Sequence, residues 1–305
     1  MTRHLLSLND LGSGGLRGVL ASAERWRLVR GAPDQPRPLA GKCVALVFEK
    51  ASTRTRISLE VAVSELGGHP LVITSSGSQM GRGEPIADTA RVLSRMVHAV
   101  TFRTSGEDRL LAMAEHSSVP VLNALTDRRH PMQLLADLQT VARLHGRLEG
   151  LKYAWVGDGN NMANSWITAA GLLDLRLVLA CPEGYEPDAD ILAQARERGA
   201  NVSVVRDPHE AADGAHVIST DVFASMGQEA EQAARLEAFA GMRVTQALVA
   251  RASPDVTVLH CLPAHRGEEI DADVIDGPRS FVWDQAEARL HSAKAALLWA
   301  LGTDE

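Results

Sequence analysis

The sequence predicts an α/β protein of two three-layer domains, each built on a parallel central sheet. Three observations predict it. Short β-branched runs alternate with longer helical patterns along the whole chain, as in parallel sheets covered on both faces. The alternation restarts near residues 146–151, after a long amphipathic stretch, and so divides the chain into domains at 1–145 and 150–280. The 305 residues, 45% apolar but only 4% aromatic, suffice for two medium cores resting on Leu, Val, Ile and Ala.

The elements follow in order. Residues 43–48 are an unbroken apolar run, a buried strand, and 55–66 the helix after it. A strand at 70–73 leads to a helix at 85–96, a strand at 99–102 to a helix at 108–116, and a strand at 119–123 to a helix at 131–145. In that last helix Pro131 suits the first turn, and Leu134, Leu135, Leu138, Val141 and Ala142 mark the buried stripe. The second domain reads as strands at 153–156, 176–180, 201–205, 217–220 and 256–260, with helices at 162–173 and 189–198. A final helix covers 294–301; its pattern fits either domain, and we assign 285–305 as packing back on the first.

Composition excludes several classes. A net charge of −7 with no basic stripe argues against nucleic acid as a partner. Cys43, Cys181 and Cys261 are far apart and form no C-x-x-C pair, so neither a disulfide framework nor a zinc knuckle is expected. The histidines are scattered without metal-ligand spacing, and no metal is expected. No apolar run approaches membrane-spanning length, and the N-terminus is too weakly apolar for a signal peptide. The expectation is a cytoplasmic protein.

In such sheets ligands sit off the carboxyl ends of strands, and the unusual residues fall there. The stretch FEKASTRTR places Ser52, Thr53, Arg54, Thr55 and Arg56 at the start of a helix, with no acid among them. Unpaired N–H groups, hydroxyls and guanidiniums together point to an oxyanion or phosphate site. Arg103 follows the third strand and suits a second clamp. His130 and Gln133, taken alone, read as a capping histidine and an N3 glutamine. The turn GDGNN at 157–161 lacks the third glycine of a dinucleotide fingerprint; its asparagines suit a tight turn or a small polar ligand. Asp221 ends a strand, as a helix cap or a grip for an amine, and Ser225-Met226-Gly227 follows as a loop. His260 and Cys261 are strand neighbours pointing to opposite faces, which makes them a poor thiolate–imidazole dyad. Cys261 reads as an inert buried thiol unless the arginines supply an electropositive crevice.

Together these motifs are more specific. STRTR at 52–56, HPMQ at 130–133, D-x-x-x-S-M-G at 221–227 and HCLP at 260–263 resemble the ornithine carbamoyltransferases in order and spacing over nearly the whole chain. The resemblance implies a carbamoyl-phosphate domain followed by an ornithine domain, linked by interdomain helices, in a homotrimer or a multiple of trimers. It implies carbamoyl-phosphate contacts at Ser52, Thr53, Arg54, Thr55, Gln79 (reaching a neighbouring subunit's site), Arg103, His130, Gln133, Cys261, Leu262 and Arg289. Ornithine contacts would be Asn161, Asp221, Ser225 and Met226, and the catalytic group Cys261, Asp221, Arg54 and His130. The implied reaction carbamoylates the δ-amine of L-ornithine to give L-citrulline and phosphate, a step of arginine biosynthesis or a urea-cycle type, without cofactor. Putrescine and N-acylated ornithine are alternative acceptors; aspartate would call for cationic recognition of its side-chain carboxylate. An NAD(P)-dependent oxidoreductase using GDGNN, or a catalytically dead anion-binding protein, are the readings from other classes.

Overall fold

The computed structural model describes residues 2–224 and 231–303. The chain forms two compact units, Met1–Gln139 with Ala286–Glu305, and Thr140–Gln285.

The first unit opens with a helix that the sequence pattern does not announce, α1 (Gly12–Leu28). Its first turn, Gly-Ser-Gly-Gly, is poor helix material, yet Leu16, Val19, Leu20, Ala23 and Trp26 form a buried stripe at helical spacing. Strands β1 (Cys43–Phe48), β2 (His69–Thr74), β3 (Ala99–Arg103) and β4 (Val121–Leu125) follow, with helices α2 (Thr53–Glu65), α3 (Ile86–Leu93), α4 (Glu107–His116) and α5 (Pro131–His145). Every strand pairing is parallel, in the order β2-β1-β3-β4. β1 is buried on both faces, which is why its sequence is continuously apolar rather than alternating. β4 starts two residues later than the β-branched run suggests. Pro120 has no N–H to give the ladder, and only its carbonyl is used, accepting the Val100 N–H at 2.8 Å.

The second unit carries β5 (Lys152–Val156), β6 (Arg176–Ala180), β7 (Val202–Val205), β8 (Val217–Thr220) and β9 (Thr257–His260). These are again all parallel, in the order β7-β6-β5-β8-β9. Around them lie α6 (Asn161–Leu173), α7 (Ala189–Glu197), α8 (Pro208–Ala212), α9 (Gln232–Ala238), α10 (Gln246–Val249) and α11 (Ala272–Ile275). Both sheets are thus parallel α/β, as the alternation predicts.

The last helix, α12 (Val282–Leu301), starts twelve residues before the predicted 294, and the boundary between units falls inside it. Asp284, Gln285, Glu287, Arg289 and His291 dilute the apolar pattern of its first half. Five of its polar residues are nonetheless buried: Gln285, Arg289, His291, Ser292 and Lys294. Lys294 shows how such a charge is tolerated. Its ammonium lies 2.5 Å from Glu65 and over the Trp26 ring; burial still pulls its pKa below the ordinary value, with Glu65 opposing. Among the described residues, no helix is long and apolar enough to cross a membrane.

Each sheet has one place where strand order reverses: between β1 and β3 in the first unit, and between β5 and β8 in the second. At such a point adjacent connections leave toward opposite faces and open a crevice at the strand ends. The residues just past these four strands are therefore the ones to inspect.

Candidate functional site

In the first unit, β1 leads to Ser52 and β3 ends on Arg103. Ser52 is the N-cap of α2: its Oγ accepts the Thr55 N–H at 3.4 Å, and its hydroxyl donates to Thr55 Oγ1 at 3.0 Å. Thr55 Oγ1 also accepts from Arg289 Nη2 at 2.7 Å, so its own hydrogen is left to donate elsewhere. Arg289 Nη1 donates to Gln133 Oε1, and Gln133 Nε2 donates to Asp137 Oδ1 at 2.8 Å. One polar network therefore ties together the starts of α2 and α5 and the first half of α12. Gln133 lies inside it, beyond the N3 cap that its position suggests.

Arg103, Arg289 and His130 are all at least nine-tenths buried. Burial, then the nearby Arg289 and Arg103 guanidiniums, hold the His130 pKa well below the ordinary imidazole value. His130 is thus a neutral ring beside two permanent cations, able to donate a hydrogen bond without adding a third charge. The partly exposed Arg54 has no ion pair or hydrogen bond among the described residues, so its guanidinium is available to a ligand. Thr53 is exposed at the first turn, and Gln79 is exposed beside the short 3-10 turn Met80–Arg82.

Arg56 needs a correction. The sequence reading groups it with the anion-binding residues because no acid adjoins it, but Arg56 Nε donates to Glu60 at 3.0 Å, one helical turn on. The pair sits on the exposed face of α2. Sequence reading also missed the device beside the turn: Glu49 accepts from Thr104 and from Arg109 Nε at 2.9 Å. Burial works to raise the Glu49 carboxyl, but Arg109 and Thr104 outweigh it and hold it below its usual range. An anion entering this crevice meets a carboxylate already neutralised.

In the second unit, β5 leads into Gly157-Asp158-Gly159-Asn160-Asn161. Gly157 has a φ of +137°, a backbone that side chains disfavour. A Cβ on Gly159 would lie 2.2 Å from Glu186 C and Pro187 N, so this glycine serves packing against the chain's own backbone. Asn160 caps α6: its Oδ1 accepts the N–H groups of Met162 and Ala163 at 2.9 and 3.3 Å. Its Nδ2 donates to Asp221 Oδ2 at 2.9 Å. Asn161 is the first residue of α6, directly after that cap.

Asp221, just past β8, also accepts at Oδ1 from the Val222 N–H at 2.8 Å and from Cys261 Sγ at 3.0 Å. Asp158 lies close by, against the buried Arg235: Nη1 donates to Asp158 Oδ2 at 2.9 Å and to the Phe223 carbonyl at 3.0 Å. Arg235 also bonds Glu231 at 3.1 Å and lies over the Tyr185 ring at 5.0 Å. Burial pushes the Asp158 carboxyl up, and Arg235 acts against that. Among the described residues, then, Asp158 is matched by a guanidinium, whereas Asp221 has only neutral donors.

The strand-neighbour reading of His260 and Cys261 needs a correction: the strand ends on His260, Cys261 lies just past it, and a His260 ring nitrogen comes within 4.8 Å of the Cys261 sulfur, although the ring's hydrogen bonds go elsewhere. His260 Nδ1 accepts the Leu262 N–H at 2.9 Å, which leaves Nε2–H to donate to the fully buried Glu269 at 3.0 Å. Both ring nitrogens are thereby engaged away from the Cys261 thiol, and the ring braces the backbone at Leu262, whose φ of +57° is costly for a branched residue. Glu269 also accepts the His265 N–H at 2.6 Å. Glu269 and Arg235 escaped the sequence reading because their partners lie on separate elements and leave no periodic signal. Ser225 and Met226 lie outside the described residues.

Among the described residues, two groups bring potential metal ligands within 4.8 Å of one another: Asp221, His260 and Cys261, and His265, Glu268 and Glu269. In the first, both His260 ring nitrogens are already engaged and the thiol donates to Asp221. That set is explained as a hydrogen-bonded network.

Comparison with known proteins gives one consistent result. Residues 3–143 match the family model described as aspartate/ornithine carbamoyltransferase, carbamoyl-P binding domain, and residues 149–300 match its Asp/Orn binding domain. A protein of Geobacter metallireducens named ornithine carbamoyltransferase is 54% identical over 298 residues, covering 97% of this chain and 98% of that one. Among solved structures, the ornithine carbamoyltransferase of Pyrococcus furiosus superposes with a TM-score of 0.94 at 45% identity, covering 99% of this chain and 97% of that one. The enzyme of that name from Thermus thermophilus gives 0.90 at 43% identity, with 99% of both chains covered.

Proposed function

This chain belongs to the aspartate/ornithine carbamoyltransferase family, and on that premise we propose that it transfers the carbamoyl group of carbamoyl phosphate to the δ-amine of L-ornithine, giving L-citrulline and phosphate. The observation that carries this reading is the division of charge between the two switch points. One gathers buried guanidiniums, hydroxyls and a neutral imidazole, suited to a phosphorylated carbonyl compound; the other gathers a carboxylate, asparagines and a thiol, suited to an amine.

In this reading Ser52, Thr53, Arg54, Thr55 and Arg103 hold the phosphate, while His130, Gln133 and Arg289 face the carbamoyl group. Attack by the amine builds charge on the carbonyl oxygen and then on the departing phosphate. Donors already in place when that charge develops contribute about 3–4 kcal/mol each. Arg54, Thr55 and the neutral His130 are those donors. The δ-amine must be neutral to attack, although free alkylamines hold their proton to about pH 10. Asp221, ordered by Asn160 and Val222, positions the amine and eases its proton loss together with Cys261. Asn161, Ser225 and Met226 take the amino-acid end, and Leu262, in its braced left-handed conformation, lines the reacting groups. The activity needs no cofactor. We place the protein in the cytoplasm as a homotrimer or a multiple of trimers, with Gln79 reaching a neighbour's site. The exposed apolar side chains of Ile57, Leu71, Val92 and Met96 on the first unit support self-association.

The test is turnover of purified protein with carbamoyl phosphate and four acceptors in parallel: L-ornithine, putrescine, N-acetylornithine and aspartate. The reading predicts the highest kcat/KM with ornithine, with Arg54→Gly as the blank. A higher value with any of the other three would overturn the acceptor assignment.

A further inference from the structure

We propose that Asn160 is a positioning residue for the acceptor amine, acting through Asp221. This rests on the carbamoyltransferase reading and adds to it a residue that the site residues drawn from the resemblance do not include. The orientation of the amide follows from its partners. Oδ1 accepts the Met162 and Ala163 N–H groups at 2.9 and 3.3 Å, and backbone N–H groups have nothing to accept with. The NH₂ group therefore points away from the helix, and it donates to Asp221 Oδ2 at 2.9 Å. The cap thus fixes the side chain with two bonds and presents the third as a rigid donor.

Asp221 is held on both oxygens. Val222 N–H and Cys261 Sγ occupy Oδ1, and Asn160 holds Oδ2. Among the described residues no cation pairs with it, whereas the neighbouring Asp158 is claimed by Arg235. Asn160 sets the plane of the carboxylate without cancelling its charge, and that charge is what an incoming ammonium requires. A serine or aspartate at this position would cap the helix about as well. Serine brings no donor of the right reach, and aspartate sets a second carboxylate against Asp221. The choice of asparagine is explained by the Asp221 contact rather than by the cap.

Capping and positioning separate experimentally in Asn160→Ser and Asn160→Asp, both of which keep a capping oxygen. We expect thermal midpoints within a few degrees of wild type and an unchanged KM for carbamoyl phosphate. We expect kcat/KM for the acceptor to fall about ten-fold or more in Asn160→Ser, and further in Asn160→Asp. Asn160→Ala, losing cap and donor, should show both a stability loss and the acceptor defect. The assay uses whichever amine wild-type protein turns over best. Wild-type acceptor kinetics in the Ser and Asp variants would overturn the proposal, as would an equal rise in KM for both substrates. Wild-type protein that turns over no amine at all would overturn the functional reading, and this assignment with it.

Discussion

In the first unit two arginines, Arg103 and Arg289, lie buried beside a histidine kept neutral; in the second two aspartates, Asp158 and Asp221, lie buried beside a thiol. The two clusters handle buried charge differently. Arg289 donates to two neutral oxygens, Thr55 Oγ1 and Gln133 Oε1, which orient it. Asp221 is treated the same way by Asn160 and Val222, but Asp158 is given a full guanidinium partner. The difference separates charges kept for a ligand from charges spent on the fold. A residue held by neutral partners retains a field with which to bind, whereas a residue in an ion pair holds its loop in place.

That distinction can be broken by experiment. The largest effect should come from Arg54, which has no side-chain partner among the described residues: Arg54→Gly should lower turnover by about 10²–10³-fold with the melting temperature unchanged, in steady-state kinetics and a thermal scan. Asp158→Ala should do the reverse. It leaves the buried Arg235 guanidinium, among the described residues, with the exposed Glu231 as its one carboxylate partner, and should cost about 3 kcal/mol in denaturant unfolding. Asp221→Asn keeps shape and hydrogen-bonding capacity while removing charge. It should reduce kcat/KM for the amine roughly ten- to hundred-fold while leaving unfolding nearly unchanged. If Asp221→Asn unfolds more easily than Asp158→Ala, the distinction between the two aspartates is wrong.

The smallest effect concerns pH. His130 has a folded pKa well below the ordinary 6.5 of the unfolded chain. The unfolded state therefore takes up the proton first, so stability is intact above that value and falls as pH drops below it. His4, His145 and His291 shift the same way. Urea titrations between pH 7 and 5 should show an acid slope that His130→Gln reduces by up to about 1.4 kcal/mol per pH unit. An unchanged slope would show His130 to be charged in the native state.

What could be read beforehand follows from the range of each signal. The central strands were legible because parallel strands buried on both faces are continuous apolar runs, as at 43–48 and 177–180. α5 was legible from Pro131 and its stripe. α1 was not, because its glycines hide the first turn, nor was the first half of α12, whose polar residues are buried through contacts with distant segments. The same limit applies to the candidate site. Ser52, Arg54 and Thr55 stand out as a local cluster, and Asp221 and Cys261 as residues past strand ends. The Asp158–Arg235 pair spans 77 positions and the Asn160–Asp221 contact 61, and no local pattern encodes either. Arg56 failed in the other direction, since local composition advertised a ligand site that one helical turn had already satisfied.

The central claim is that the first unit's cations bind carbamoyl phosphate and the second unit's carboxylate does not. Calorimetric titration of carbamoyl phosphate into wild type, Arg54→Gly and Asp221→Asn, without acceptor, tests it most directly. The account predicts that affinity is lost in Arg54→Gly and kept within about two-fold in Asp221→Asn, by the screening of a single, separate charge. Equal weakening in both variants, or full affinity in Arg54→Gly, would contradict it.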